Sequence, residues 1–578
     1  MGSEIFDVIV IGAGLSGIAA SRFYLEVHPE SRVLILEQDN SIGGPWGKSR
    51  TYPGFWSQSG IRMSGFSDRP LTVPNDAEVF NDIFEAKHVA DYLEDYVYDH
   101  VYAGISLGDR IKINFSVCSV EKVDGVWVVQ GKSTGDNGAN MFRTSKLIVA
   151  TGTTSDPRMP SFPDQGTFKG PVLHQRDFGA FMRQQHPSTS KKLAIMGGGK
   201  SAADMVYTCV KAGHEVSWII RESGEGPGAF TNPADNAKGP FLNDPELAGT
   251  RLFGTMSPSC FNQPNLWTKL VHGTAGGRKV VDGFFGKADQ NCKNIGNFDK
   301  RPGALKGFDE LESDVELFWC TGPFGMIQRP DFWDTIANNV HVYRKDILNL
   351  GPSTIHLKNG PSVAIDVILC ATGFKNDFPF FTEHQHRELG LPHSKRSEDE
   401  EEKTWEALEA DAEKAILGRY PKLRDPPPNI HVPEFAGKKT PNRLYNCIAP
   451  LADTSIAFVG NVYVPNGFRV AEVQAIWVTA LLSGTLRLPS ESDMRRDIAW
   501  VNAFDRRRYP THGHLGNYLH YDMMGYIDRL LGEVGLRSHR KGWWADLMYP
   551  FVTKDLADTK EEFIRKYKAT IEDAKKTV

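Results

Sequence analysis

Two stretches decide the fold: VIVIGAGLSG at residues 8–17 and LAIMGGGKSA at residues 193–202. In each, an apolar run of strand character stops at a glycine cluster, and small residues then open an amphipathic segment. Gly12, Gly14 and Gly17, and again Gly197 and Gly199, allow a tight strand-to-helix turn and a close approach of a diphosphate to the backbone. The free N–H groups of the following helix, with Ser16 and Ser201 in its first turn, then face that diphosphate. One such turn is weak evidence. Two of them about 185 residues apart imply two dinucleotides on one chain, and electrons passing between them. The expected fold is α/β, with two Rossmann-like dinucleotide-binding domains (the three-layer FAD/NAD(P)-binding fold) and a large insertion in the nucleotide domain.

The ends of the second strands separate the two cofactors. The first unit reads strand, helix, strand over residues 5–37 and closes on Glu37, whose carboxylate suits a ribose hydroxyl pair and repels a 2′-phosphate. The second unit closes on Arg221, whose guanidinium can grip a 2′-phosphate bidentately, and Lys200 is a second candidate for that phosphate. The first turn therefore reads as an FAD site and the second as an NADPH site. Taken singly, Glu37 is equally a solvated strand end and Arg221 a surface arginine.

The remaining composition bounds the class. The chain has 578 residues, 40% hydrophobic and 24% charged, with a formal net charge of −5, room for two to four soluble domains. A sequence pI near 6.4 argues for neither nucleic acid nor an anionic membrane as partner. The cysteines (118, 209, 260, 292, 320, 370 and 447) form no CxxC pair, which speaks against a dithiol reductase and for reduced thiols in a cytoplasmic protein. No zinc-ligand spacing appears. A first strand starting by residue 5 predicts no signal peptide, the opening Met-Gly-Ser-Glu-Ile-Phe lacks the myristoylation serine or threonine, and no apolar run predicts a membrane anchor. A homo-oligomer is compatible with the sequence.

Organisation follows from the two turns. Residues 1–180 are expected to form the first part of the FAD domain and 188–370 the NADPH domain, with an insertion at about 223–310 over the active site. Residues 371–485 return to the FAD domain, and 486–578 form a C-terminal helical segment. The alternating residues 115–149 read as strands of an inserted sheet. SEDEEEK at 397–403 reads as a solvated charge run. The aromatic HRKGWWADLMYPF stretch at 539–551 is either packing or a cap on the substrate tunnel.

Several motifs then converge. Residues 168–178, FKGPVLHQRDF, fit FxGxxxHxxx(Y/F) just ahead of the second glycine turn. GGPW at 43–46, FSD at 66–68, the paired ATG tripeptides at 150–152 and 371–373, and AEVQAIW at 471–477 after Val459-Gly460 join it. Together they cover most of residues 5–485, and the chain resembles the flavin-containing monooxygenases, class B flavoproteins, in a divergent subgroup of fungal character and secondary metabolism. The resemblance implies that Gly44, Trp46, Ala150, Thr151, Gly152, Ala371, Thr372, Gly373 and Gln474 lie along the cofactors. His174 in the fingerprint is then a hinge residue rather than a general base.

The same resemblance implies an NADPH- and O2-dependent reaction. NADPH passes hydride to FAD, O2 is captured as a C4a-(hydro)peroxyflavin under bound NADP⁺, and one oxygen atom goes to a small organic substrate, at N or S first. Baeyer–Villiger oxygenation of a ketone or aldehyde is the alternative: GGPW followed by RTYPG echoes those enzymes, but Phe178 is followed by Gly179, not by the Pro or Asp of their fingerprint. A second alternative is an FAD-dependent NAD(P)H oxidoreductase or dehydrogenase without productive oxygenation. One departure matters: counting back from FSD puts Gln58 where the family carries Asn and the Baeyer–Villiger enzymes Asp. Gln58 is the candidate catalytic residue, touching the reacting flavin; the plain reading is pocket lining. The substrate pocket is expected to draw on the insertion and the C-terminal segment.

Overall fold

The computed structural model describes residues 4–135, 138–186, 189–231, 241–319, 325–327, 329–396 and 398–577. The N-terminal residues 1–3, Cys320, Ser397 and residues 232–240 of the expected insertion lie outside the described residues.

The first sheet grows around β1 (Glu4–Ile11). Its residues 8–11 are apolar without alternation because both faces are buried: Val8 and Val10 join one core cluster with Ile18 and Phe23, and Ile9 and Ile11 another with Phe378 and Phe458. After α1 (Leu15–Val27) the chain returns as β2 (Val33–Leu36), parallel to β1, and β3 (Ile111–Lys112) extends that edge. Then β4 (Phe115–Val123), β5 (Val126–Ser133) and β6 (Ala139–Val149) run as an antiparallel meander. The sheet order is β4-β5-β6-β1-β2-β3. The meander is thus not an inserted sheet of its own, as its alternation suggested; β6 is long enough to pair with β5 through residues 139–144 and with β1 along most of its length.

The second sheet is wholly parallel: β7 (Val172–His174), β8 (Lys192–Met196), then α2 (Lys200–Lys211), β9 (Glu215–Ile220), β10 (Val340–Arg344) and β11 (Val367–Cys370). Its order is β7-β11-β8-β9-β10. In both sheets the strand that leads into the glycine turn, β1 or β8, lies between its successor and a later strand, so strand order reverses at that turn, where such sheets bind ligands. Val172–His174, within the stretch expected to belong to the first domain, pairs with Ile368–Cys370 of the second sheet.

The segment expected as an insertion carries several helices in its described part. It contains α3 (Ala275–Gly296), which carries five glycines and so gives a weak helical signal. Thr274 caps it by accepting the Gly277 N–H (3.0 Å), and Val281, Phe285 and Cys292 recur on one buried face. The acidic run at 397–403 opens α4 (Glu400–Arg419), capped by Asp399. It is not all solvated: Glu402 is buried and bonds Arg443 through both oxygens (2.6 and 2.8 Å).

The chain then returns to the first sheet as β12 (Ile456–Phe458), pairing with residues 147–149 of β6. The next helix, α5 (Gly467–Leu482), is buried from Phe468 to its end and packs on α1. A buried polar knot joins the two: Arg22 of α1 lies 2.9 Å from Asp68 and 3.8 Å from Glu472 of α5, and Glu472 accepts the Ser67 N–H (2.9 Å). This knot is what the FSD and AEVQAIW motifs build. Burial alone would raise the Asp68 carboxyl, but the His100 hydrogen bond and the Arg22 charge hold it at about 2. The last residues form α6 (Glu491–Arg508), α7 (Met523–Val534) and α8 (Thr559–Thr577). Trp543 and Trp544 of the aromatic stretch are exposed (80% and 55%) and cap no cavity. Among the described residues no helix is long and apolar enough to cross a membrane.

Candidate active site

The two glycine turns are built alike. Gly12 has φ +111° and Gly197 φ +125°; a Cβ on Gly12 would stand 2.4 Å from the Ala150 carbonyl oxygen, and one on Gly197 2.3 Å from that of Ala371. The paired ATG tripeptides therefore have a packing reason: each alanine carbonyl abuts the first glycine of its turn and excludes any larger residue there. Each tripeptide ends on a positive-φ glycine, Gly152 (+67°) and Gly373 (+74°).

At the first turn, a Cβ on Gly17 would lie 1.9 Å from the Gly12 carbonyl oxygen, so α1 sits directly on the turn. Gly14 differs: its φ is −76° and a Cβ there would meet nothing within 4 Å. It faces a cavity of about 470 Å³ whose walls also include Gly12, Ser16, Gly44 and Trp46. Ala150, Thr151 and Gly152 line the same cavity, as do Glu37 and Gln474. Glu37 is 6% exposed and accepts the backbone N–H groups of Ala13 and Asp39 (both 2.8 Å); burial raises its carboxyl despite those bonds. Gln474 accepts the Gly460 N–H (2.9 Å) and donates to the Tyr526 hydroxyl (2.9 Å), fixing a second backbone turn beside Ser16.

A smaller cavity of about 300 Å³ adjoins the first, sharing Leu15, Pro45, Trp46 and Thr154 with it. Tyr52, Phe55, Trp56 and Gln58 wall it on one side, and Lys200, Ser201 and Asp204 of α2 on the other. Trp46 stacks on Phe55 (5.6 Å, 9°) and Phe55 on Tyr52 (4.9 Å, 15°), while Tyr52 meets Phe178 edge-on (4.7 Å). This ladder runs from the first cavity to the last residue of the fingerprint. Gln58 accepts the Met326 N–H through Oε1 (3.1 Å). Lys200 is buried and ion-paired with Asp204 one turn on; burial lowers the lysine and raises the acid, and their pairing opposes both shifts. Arg221 is exposed at the end of β9. Gly197, Gly199, Ala371, Thr372 and Gly373 line neither cavity. Across the second turn lies the following loop, with Gly228 N–H on the Gly198 carbonyl (2.8 Å).

The fingerprint is a joint. A Cβ on Gly170 would come within 2.0 Å of the Asp366 carbonyl oxygen. His174, 1% exposed, donates from Nε2 to the Gly373 carbonyl (2.8 Å) and accepts the Arg176 N–H at Nδ1 (3.2 Å). Burial lowers its pKa, and both ring nitrogens are spent on backbone. Gly179 is required where it stands, because a Cβ would meet the Arg50 and Thr51 carbonyls at 2.7 Å.

Sequence reading missed Asp39, Arg50, Arg176 and Asp204. Asp39 accepts from Arg50 Nε (2.9 Å) and pairs with Arg176, and both arginines line both cavities. Arg176 sits inside the fingerprint and Asp39 two residues beyond Glu37, so proximity to known motifs was the available signal. Neither cavity draws a described residue from 223–310 or 486–578, contrary to the expected origin of the pocket. Its walls come from the segment after the first unit, the start of α2 and the start of α5. Among the described residues no group of His, Cys, Asp or Glu could hold a metal.

Comparison with known proteins agrees with this architecture. A family model described as pyridine nucleotide-disulphide oxidoreductase matches residues 9–232. The FAD-dependent monooxygenase rstn6 of Aspergillus nomiae is 30% identical, over 93% of this chain and 94% of that protein. Among solved structures, cyclohexanone monooxygenase of Rhodococcus sp. Phi1, bound to NADP⁺, superposes with a TM-score of 0.58 at 15% identity over 92% of this chain and 97% of that one. The S-allyl-L-cysteine S-oxygenase of Allium sativum does so with a TM-score of 0.52 at 16% identity over 100% and 99%.

Proposed function

The chain belongs to the FAD-dependent monooxygenases, and from that premise we propose that it uses NADPH and O2 to add one oxygen atom to a small organic substrate at nitrogen or sulfur. The observation that carries this reading is the pair of matched glycine turns opening on two cavities with a common wall. FAD supplies the redox and oxygen-activating chemistry when bound.

The chain's own residues do the rest. Gly12 and Gly17 bring the start of α1 close to a diphosphate, and Gly14 and Gly44 leave it room. Ser16 and Glu37 offer the polar contacts, the acid to a ribose, while Gln474 holds the neighbouring backbone turn. Gly197, Gly199, Ser201 and Arg221 take the corresponding roles for NADPH, with Arg221 on the 2′-phosphate. Lys200 serves through Asp204, keeping α2 in place beside the second cavity. Trp46 with Phe55 and Tyr52 excludes water along one wall. Gln58 presents an amide to that cavity while its Oε1 is held by Met326. His174 moves no proton; it ties the end of β7 to the Gly373 turn that follows β11.

Heteroatom oxygenation is preferred over Baeyer–Villiger chemistry because Gly179 fills the place of the Pro or Asp that follows the aromatic in the latter's fingerprint. The competing observation is the Tyr52-Pro53-Gly54 tripeptide, whose tyrosine lines the second cavity. Purified enzyme with NADPH, O2 and either a thioether or a cyclic ketone tests the reading. Sulfoxide with NADPH consumed in step supports it; lactone alone favours the Baeyer–Villiger reading; peroxide matching all the NADPH consumed, with every acceptor tried, points to a dehydrogenase.

A further inference from the structure

The wall between the two cavities carries an arginine pair that the roles above leave unused. Asp39 holds both guanidiniums: Arg50 through Nε (2.9 Å), and Arg176 through a terminal nitrogen. Arg50 also donates to the Thr154 carbonyl (2.8 Å) and Arg176 to that of Ser155 (3.0 Å). The side chains of Arg50 and Asp39 are 9% and 13% exposed. With Glu37, whose charge also acts on Arg50, two carboxylates face the two guanidiniums in a site largely removed from water, and what the pair offers a ligand is its remaining N–H groups. Burial lowers the Arg50 pKa, with the Arg176 charge pushing the same way and Asp39 and Glu37 opposing it. Among the described residues, the second terminal nitrogen of Arg50 and Nε of Arg176 have no hydrogen-bond partner, and both side chains border both cavities. Such a pair is poised for an anionic oxygen group.

Resting on the proposed use of NADPH, the geometry points to Arg50 and Arg176 as a binding site for the diphosphate of the nicotinamide dinucleotide. The second glycine turn needs such help. Its only lysine is committed to Asp204, and Arg221 lies at the end of β9 outside either cavity wall. The arginine pair, by contrast, faces the same cavity as Ser201 at the start of α2. Because Arg176 belongs to the fingerprint and Arg50 to the FAD side, dinucleotide binding would draw the joint and the first domain together through one anion. The same chemistry could come from the FAD diphosphate or from a substrate carboxylate, and the test separates these sources.

Arg50→Gln and Arg176→Gln are titrated calorimetrically, as FAD-loaded enzyme, with NADP⁺ and with adenosine 2′,5′-bisphosphate, which lacks the diphosphate bridge. Each variant is expected to weaken NADP⁺ about tenfold, the value of one charge-assisted hydrogen bond, and to leave the bisphosphate within about twofold. Arg→Lys at each position should recover part of the loss. The assignment is overturned if the FAD-to-protein ratio falls instead, if NADP⁺ binding stays within about twofold of wild type, if the bisphosphate weakens equally, or if only the KM of a carboxylate-bearing acceptor rises. Wild-type enzyme that loads FAD but binds no NADP⁺ overturns the NADPH reading as well, which separates the two failures.

Discussion

Flavin binding and fold stability should come apart at two glycines only three residues distant. In Gly14→Ala the new Cβ meets no atom within 4 Å and φ is −76°, so the backbone is unstrained. Unfolded-state entropy alone would then change stability by about 0.4–1 kcal/mol in the favourable direction. The methyl group nevertheless projects where the cavity meets the start of α1, between the helix N–H groups and a diphosphate. In Gly17→Ala the Cβ falls 1.9 Å from the Gly12 carbonyl oxygen, about 1.5 Å short of ordinary contact. Both neighbours are backbone, so α1 must lift off β1, at about 2–3 kcal/mol, the upper part of the overpacking range. The assay is the flavin-to-protein absorbance ratio after purification, with Tm from circular dichroism. Gly14→Ala should lose flavin and, compared with flavin-stripped wild type, keep its Tm; Gly17→Ala should lose flavin and fall by several degrees. Full flavin in Gly14→Ala, or an unchanged Tm in Gly17→Ala, would refute the argument.

Three further outcomes are expected. Arg221→Gln should raise KM for NADPH about tenfold with little change for NADH, read by initial rates with each reductant. Gln58→Ala removes one hydrogen bond, to Met326, and should leave flavin content and Tm nearly unchanged, while the product formed per NADPH drops and peroxide rises. His514 and His520 are both lowered to about 4, chiefly by burial, so the folded state favours their neutral forms. Their stabilisation is complete above the unfolded pKa of about 6.5 and is lost as pH falls toward 4, by at most about 1.4 kcal/mol per pH unit for each. Urea midpoints at about pH 7 and about pH 5 should show the fall, and His520→Leu should make it shallower.

Much of this was legible because glycines and strand ends act locally. Gly12 and Gly197 are dictated by the alanine carbonyls of ATG tripeptides that repeat in the sequence, and Gly17 by the carbonyl of Gly12. The residues of the FAD reading that line the larger cavity lie close to such a signal. What stayed hidden depends on long-range packing. The α3 helix is built on glycine-rich sequence whose helicity comes from one buried face. Glu402 looked solvated within its acidic run until Arg443, some forty residues on, was folded against it. The Asp39–Arg50–Arg176 cluster joins a pair 11 residues apart to an arginine 137 residues beyond Asp39, and charge pairs of that kind leave no periodic trace. The substrate pocket was expected to draw on 223–310 and the C-terminal segment, while the second cavity is bounded by the starts of α2 and α5 and the segment after GGPW, a meeting of distant segments that local sequence does not signal.

The most direct test is to reduce the enzyme anaerobically with NADPH, mix it with oxygenated buffer, and follow flavin absorbance and peroxide together. The account predicts rapid reduction, then a slow return of oxidised flavin while NADP⁺ stays bound, with an oxygenated product replacing peroxide when a suitable amine or thioether is present. Immediate reoxidation with stoichiometric peroxide, unchanged by NADP⁺ or any acceptor, would contradict it.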